Sequence, residues 1–180
     1  AAELINLGVN AGIGMSLSPN LDVGVSATIT YAMLEAGLTG SGGMTHDIGF
    51  RATLGGRMKV MPGLTVGAYV QTEQPHEYDN LHVTSNHGIG FMSGFSNAAI
   101  ARTQPTPICN GGAAASNNVC RQDVRVEQPM NIGLGFAFDG LMNGNLLVMA
   151  DFTHKAWSDA RFFNEFYEDQ EVYSIGLQLT

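Results

Sequence analysis

The sequence predicts an all-β fold: a run of antiparallel transmembrane strands that form part of a β-barrel. Three observations carry this. Apolar residues recur at every second position in seven separate runs. The positions between them hold mostly Gly, Ser, Thr and Asn rather than Lys or Glu. The connections between runs alternate between short and long, as barrel strands joined by tight turns on one side and longer loops on the other require. Charged residues make up only 13% of the chain, against about 25% in a soluble domain.

The first run, INLGVNAGIGMSL, sets Ile5, Leu7, Val9, Ala11, Ile13, Met15 and Leu17 against Asn6, Gly8, Asn10, Gly12, Gly14 and Ser16. After the turn Ser18-Pro19-Asn20, the second alternates from Leu21 to Tyr31. The third sets Ile48, Phe50, Ala52 and Leu54 against Asp47, Gly49, Arg51 and Thr53, and Gly55-Gly56 reads as a bend or bulge. Met61-Pro62-Gly63 turns into the fourth, Leu64 to Gln71. The fifth spans Met130 to Phe138, the sixth Leu146 to Thr153 and the seventh Tyr173 to Leu179. Leu38–His46, Asn80–Arg121 and Asp159–Glu171 are the long connections, which would be external. The whole chain reads as one barrel segment, 1–180, with a long external loop at 80–121. Some forty residues of loop would be odd in a compact soluble domain.

Composition excludes several classes. No stretch approaches the roughly 18 apolar residues of a membrane helix. The N-terminal Ala1-Ala2-Glu3 has no basic or apolar leader pattern. A net charge of −8 leaves no basic stripe for nucleic acid. No nucleophile elbow, paired acid/base spacing or phosphate loop appears, so neither an enzyme nor a cofactor is expected. His82 and His87 are solvated loop residues on this reading, since a metal site needs more fixed ligands. The acidic Glu165, Glu168, Asp169 and Glu171 read as a solvated loop, with divalent cations shared with lipopolysaccharide as the alternative.

The stretch QPMNIGLGFAFDGLMNGNLLVMADFTHKAWSDARF resembles the FadL-type outer-membrane transporters of long-chain fatty acids and other hydrophobic compounds. The likeness lies in Pro129 opening a Gly-alternating strand, a short turn, and a strand leading from Asp151 to Trp157-Ser158. LGVNAGIGMSLSPNLDVGVSATITYAMLEAG and IGFRATLGGRMKVMPGLTVGAYVQTE look like further family hairpins. Family members have about twice as many strands, with an N-terminal plug whose Asn-Pro-Ala-Gly type segment is absent here. The chain is therefore expected to be half of a larger barrel, completed by further strands or partner chains, because open edges in lipid leave backbone groups unsatisfied.

The resemblance implies a bacterial outer-membrane channel that passes a hydrophobic small molecule by diffusion, in contact with outer-membrane lipid and lipopolysaccharide. A non-transporting barrel with structural or adhesive loops is the alternative. Phe91, Met92 and Phe95 would then be a ligand-capture surface, or simply pack a loop on the rim. Arg51, Arg57 and Lys59 lie on the polar phase of the third strand; they could meet a carboxylate in the lumen or pair with Asp22, Asp47 or Asp151 in the wall. Trp157, Phe162 and Phe163 read as an interfacial aromatic girdle. Cys109 and Cys120 span a short Gly/Ala/Ser/Asn-rich stretch and read as a disulfide.

Overall fold

The computed structural model describes residues 2–36, 44–84, 108–109, 119–164 and 166–179. A seven-stranded antiparallel sheet dominates it. In sequence order the strands are β1 (Ala2–Ser18), β2 (Leu21–Ala36), β3 (Met44–Met61), β4 (Leu64–Gln71), β5 (Gln74–Thr84), β6 (Ile108–Cys109), β7 (Val119–Gln128), β8 (Asn131–Leu141), β9 (Leu146–Lys155) and β10 (Gln170–Leu179). The large sheet runs β1-β2-β3-β4-β8-β9-β10, and β5-β7-β6 form a second, three-stranded sheet inserted between β4 and β8. All seven runs predicted from alternation are strands of the large sheet, in that order.

Register keeps each phase on one side. Val25 pairs with Leu54 and Leu54 with Val70; Val70 pairs with Ile132. The apolar phase is left facing outward: Leu7, Val9, Ile13, Phe50, Leu54, Leu134 and Ile175 are all exposed. Exposed Leu, Ile and Phe at alternate positions of β1, β3, β8 and β10, beside half-buried ones on β4 and β9, match lipid rather than water as the solvent. Among the described residues the buried apolar core is correspondingly small: Ala32, Tyr78, Val124, Ala156 and Ala160.

Three connections at one end are tight. Pro62-Gly63 joins β3 to β4, with Gly63 at φ 81°, as the third position of a type II turn requires. A Cβ there would also press on Asp139 and Gly140. Register shifts occur beside all three of these turns, at Ser16/Ser18, Lys59/Met61 and Phe138/Leu141. They tighten the hairpin ends. Gly55-Gly56, expected to bend or bulge, instead pairs regularly with Gly24 and Val23 on one side and with Tyr69 and Ala68 on the other.

The opposite end carries the long connections. β4 pairs with β3 only from Thr53 to Met61, so the upper half of β3 has no β4 partner. The chain leaves the ladder after Thr72, whose N–H still donates to the Ala52 carbonyl at 2.9 Å. It then turns inward as β5. Thus the segment expected to be a long loop holds strand structure at both of its ends and a short bridge in the middle.

Candidate functional site

The inner phase of the wall is polar and graded along its length. At the tight-turn end, Arg57 Nε donates to Asp22 at 2.7 Å, and the Ser16 hydroxyl donates to the same carboxylate at 2.5 Å. These partners sit at registered positions, Asp22 opposite both Ser16 and Arg57. Arg57 is thus engaged by the wall, one of the two roles the sequence left open. Lys59 lies one step further toward the turn, on the same phase and opposite Thr65.

At mid-height Asn10 Nδ2 donates to Thr28 at 2.6 Å. Gln71 links Thr53, Arg51 and Asn131: it donates to Thr53 at 3.2 Å and accepts from the other two at 3.1 and 2.9 Å. Next to this network the Tyr69 ring occupies the space that a Cβ on Gly133 would fill. A groove of about 510 Å³ runs along this inner face, past Tyr69, Gly133, Ala137, Met149 and Thr153. Gly67 leaves part of its floor bare, whereas the Tyr69 ring and the Asp151 carboxylate occupy the spaces over Gly133 and Gly135. A larger depression, about 630 Å³, is bounded by Met58, Val66, Leu134, Phe136 and Phe152. Those five residues belong to the outward phase, and Arg57, Gly67, Gly135 and Asp151 of the inner phase also line it.

At the upper end β5 folds over the inner face of β2 and β3. His76 packs against Gly49, occupying the position of a Cβ. Thr30, Ala32, Arg51, Gln74, His76 and Tyr78 are all buried in this seam. The Glu77 N–H donates to Asp47 Oδ2 at 2.7 Å, and Arg51 donates to the Pro129 carbonyl at 2.7 Å. Asp47 Oδ2 also lies 3.7 Å from His76 Nδ1. Burial holds the His76 imidazole below its ordinary pKa, against the attraction of Asp47. Burial also pushes the Tyr78 phenol up to about 12. Asp47 and Arg51 were legible as inner-phase charges; Gln74, His76 and Tyr78 were not, because they alternate within a stretch whose strand character no turn signal announced.

The connection between β9 and β10 carries an aromatic cluster. Trp157 meets Phe163 edge-on with ring centroids 4.9 Å apart, and Phe163 also meets Phe162 and Tyr167. Phe166 packs on Phe162. Phe162 has φ 79°, a conformation L side chains rarely adopt. The loop is tied down at both ends: Arg161 N–H to Glu127 at 3.0 Å, and Ser158 N–H to Asp169 at 2.9 Å. Hydrogen bonds from the Ser158 hydroxyl and backbone hold the Asp169 carboxyl below its usual range. The predicted Trp157, Phe162 and Phe163 are therefore brought together, and Phe166 and Tyr167 join them.

Cys109 and Cys120 stand directly opposite each other where β6 pairs with β7. Phe91, Met92 and Phe95, and with them the expected capture surface, lie outside the described residues.

No family model and no curated protein matches the chain. Solved structures do. A TodX monoaromatic hydrocarbon channel lacking S2 and S3 superposes with TM-score 0.61 at 17% identity, over 99% of this chain and 52% of its own. The Pseudomonas putida toluene transporter TodX gives 0.58 at 17% identity, over 99% and 52%. The Ralstonia pickettii toluene transporter TbuX gives 0.57 at 18% identity, over the same shares. The chain spans about half the length of these proteins. It has the fold of half a FadL-type barrel, with the sheet open at β1 and β10.

Proposed function

We propose that the chain is half of a bacterial outer-membrane channel through which hydrophobic small molecules diffuse passively. The observation that carries this is the division of one sheet into a lipid-facing apolar phase and a polar inner phase, in a half-barrel similar to TodX and TbuX. The inner groove, floored in part by Gly67 and flanked by Tyr69 and Met149, suits a flat or slender apolar ligand. Long-chain fatty acids and monoaromatic hydrocarbons are the two ligand classes of choice. A fatty acid would need a cation for its carboxylate. Arg57 is engaged by Asp22 and Arg51 by Gln71 and Pro129, which leaves Lys59 as the better candidate and favours the uncharged class. Phe91, Met92 and Phe95 would gather ligand outside, and Trp157, Phe162 and Phe163 would sit at the lipid boundary beside lipopolysaccharide.

Two structural parts belong to the same reading. Further barrel strands, from the same or another chain, pair with β1 and β10, since each unsatisfied backbone group in hydrocarbon costs several kcal/mol. Cys109 and Cys120 form a disulfide: directly opposed antiparallel residues have Cα atoms about 4.5–5.5 Å apart, within the roughly 4.4–6.8 Å that a disulfide bridges.

The test is uptake of radiolabelled toluene and oleate by cells lacking and regaining the full-length gene. Restored toluene uptake supports the hydrocarbon class and restored oleate uptake the fatty-acid class. If neither changes, the barrel is non-transporting and its loops carry a structural or adhesive role.

A further inference from the structure

The β5–β7 sheet is not a surface appendage. Its strand β5 lies across the inner, polar phase of β2 and β3, covering Thr30, Ala32, Gly49 and Arg51. An element in that position takes cross-section from the lumen. Its hold on the wall combines apolar burial, at Ala32 and Tyr78, with a few polar contacts, and Glu127 of β7 is also bonded to Arg161 of the β9–β10 connection. Glu77 donates to Asp47, Arg51 donates to Pro129, and His76 rests on the bare backbone of Gly49. The chain enters and leaves the sheet through two-residue links outside the strands, Thr72-Glu73 and Pro129-Met130, which stay hydrogen-bonded to the wall through Ala52, Arg51 and Ala156.

The seam is also incompletely satisfied. Arg51 Nε, Gln74 Nε2 and both ring nitrogens of His76 are buried without a hydrogen-bond partner. Buried polar groups are normally paired, and each that is not penalises the state that buries it. Withdrawing β5 from the wall would hydrate all of them. Resting on the channel reading above, we propose that the in-folded β5–β7 sheet is a gate over the lumen, and that it undocks from the wall when His76 becomes charged.

Among the described residues, the charged groups of β3 that face His76 are Asp47 and Arg51. On its own strand Glu77 and Tyr78 adjoin it. From β7, Val126 stands opposite it and Arg125 pairs with Glu77 at 2.6 Å. From β2 come the uncharged Thr30 and Ala32. The Asp47 carboxylate would attract an imidazolium, but it is already held by the Glu77 N–H. Burial and Arg51 both oppose the charge, and burial is the largest influence. The docked state therefore binds fewer protons at His76 than the undocked state, whose imidazole titrates near 6.5. Docking is favoured above that pH and weakens as pH falls below it.

The experiment is osmotic swelling of liposomes carrying the full-length protein, with a small sugar as permeant, between about pH 8 and about pH 5. Permeation is expected to rise several-fold on acidification. Gly49→Leu, which displaces the imidazole from its seat, should be permeable throughout the range. His76→Gln, which cannot titrate, should give a flat profile; heat-modifiable migration on gels confirms that each variant has formed its barrel. A parent profile that is flat, or that falls with acidification, overturns the gate and leaves the channel standing. So does a His76→Gln profile identical to the parent's. Absence of permeation in both the parent and Gly49→Leu overturns the gate, while the channel for hydrophobic molecules stands or falls on the toluene and oleate uptake above.

Discussion

Leu54 distinguishes lipid from water as the solvent of the apolar phase. It stands at the middle of the paired region of β3, between Val25 and Val70, and is 59% exposed. On a soluble sheet, replacing a leucine this exposed by arginine would change stability by no more than about 0.5 kcal/mol. In a bilayer the leucine's exposed surface is in hydrocarbon. Removing it forfeits roughly 1–2 kcal/mol, taking about 1.5–3 kcal/mol for a fully sequestered leucine. The arginine adds the cost of drawing water or headgroups inward. Together these fall within the roughly 2–4 kcal/mol measured for Arg or Lys on the lipid face at mid-depth. Leu54→Arg should therefore lower the folding constant by about 30- to 700-fold. Asn10→Arg is the control. Asn10 is on the inner phase and its exposed hydrogen bond to Thr28 is worth only about 0.5–1.5 kcal/mol. The assay is equilibrium urea unfolding of the full-length protein in phospholipid vesicles. If Leu54→Arg unfolds at the parent's midpoint, or Asn10→Arg is the more damaging, the assignment of the outward phase to lipid is wrong.

Three other outcomes are expected. Gly133→Val should destabilise the barrel by about 1–3 kcal/mol through overpacking against the Tyr69 ring, and Tyr69→Ala in the same chain should relieve most of that loss, measured by the same unfolding titration. Asp169 has its carboxyl pKa lowered by Ser158, so its anchoring of the aromatic loop is fully present above the ordinary value of 3.8 and is lost as pH falls through the lowered one. Trp157 fluorescence should shift over that acidic range, and Asp169→Asn should show the shifted signal already at neutral pH. Cys109→Ser and Cys120→Ser should each leave a free thiol that a maleimide labels, whereas the unreduced parent should not label; labelling of the unreduced parent would refute the disulfide.

The seven wall strands were legible because a strand's two faces are written locally, one residue after another. Every second residue from Ile5 to Leu17 or from Tyr173 to Leu179 records what that face touches. The turns were legible for the same reason: Pro62-Gly63 needs only its own backbone preferences to reverse the chain. Alternation also assigned Arg51, Arg57 and Lys59 to the inner phase. What it could not supply was their partners. Arg57 meets Asp22 across a sequence separation of 35 residues, and Arg51 meets Pro129 across 78, so those pairings depend on register and on the shape of the whole sheet.

The amino-acid sequence by itself therefore determined the class of fold, the number and order of the wall strands, which side of them is apolar, and where the tight turns lie. Only the tertiary structure decided that β4 joins β8 past an inserted sheet, and that this sheet turns inward to seat His76 on Gly49. It likewise decided that Tyr69 covers Gly133. The physical reason is that a side chain's phase is set by its immediate neighbours, whereas a glycine's bare backbone becomes a seat only when a distant strand arrives to occupy it.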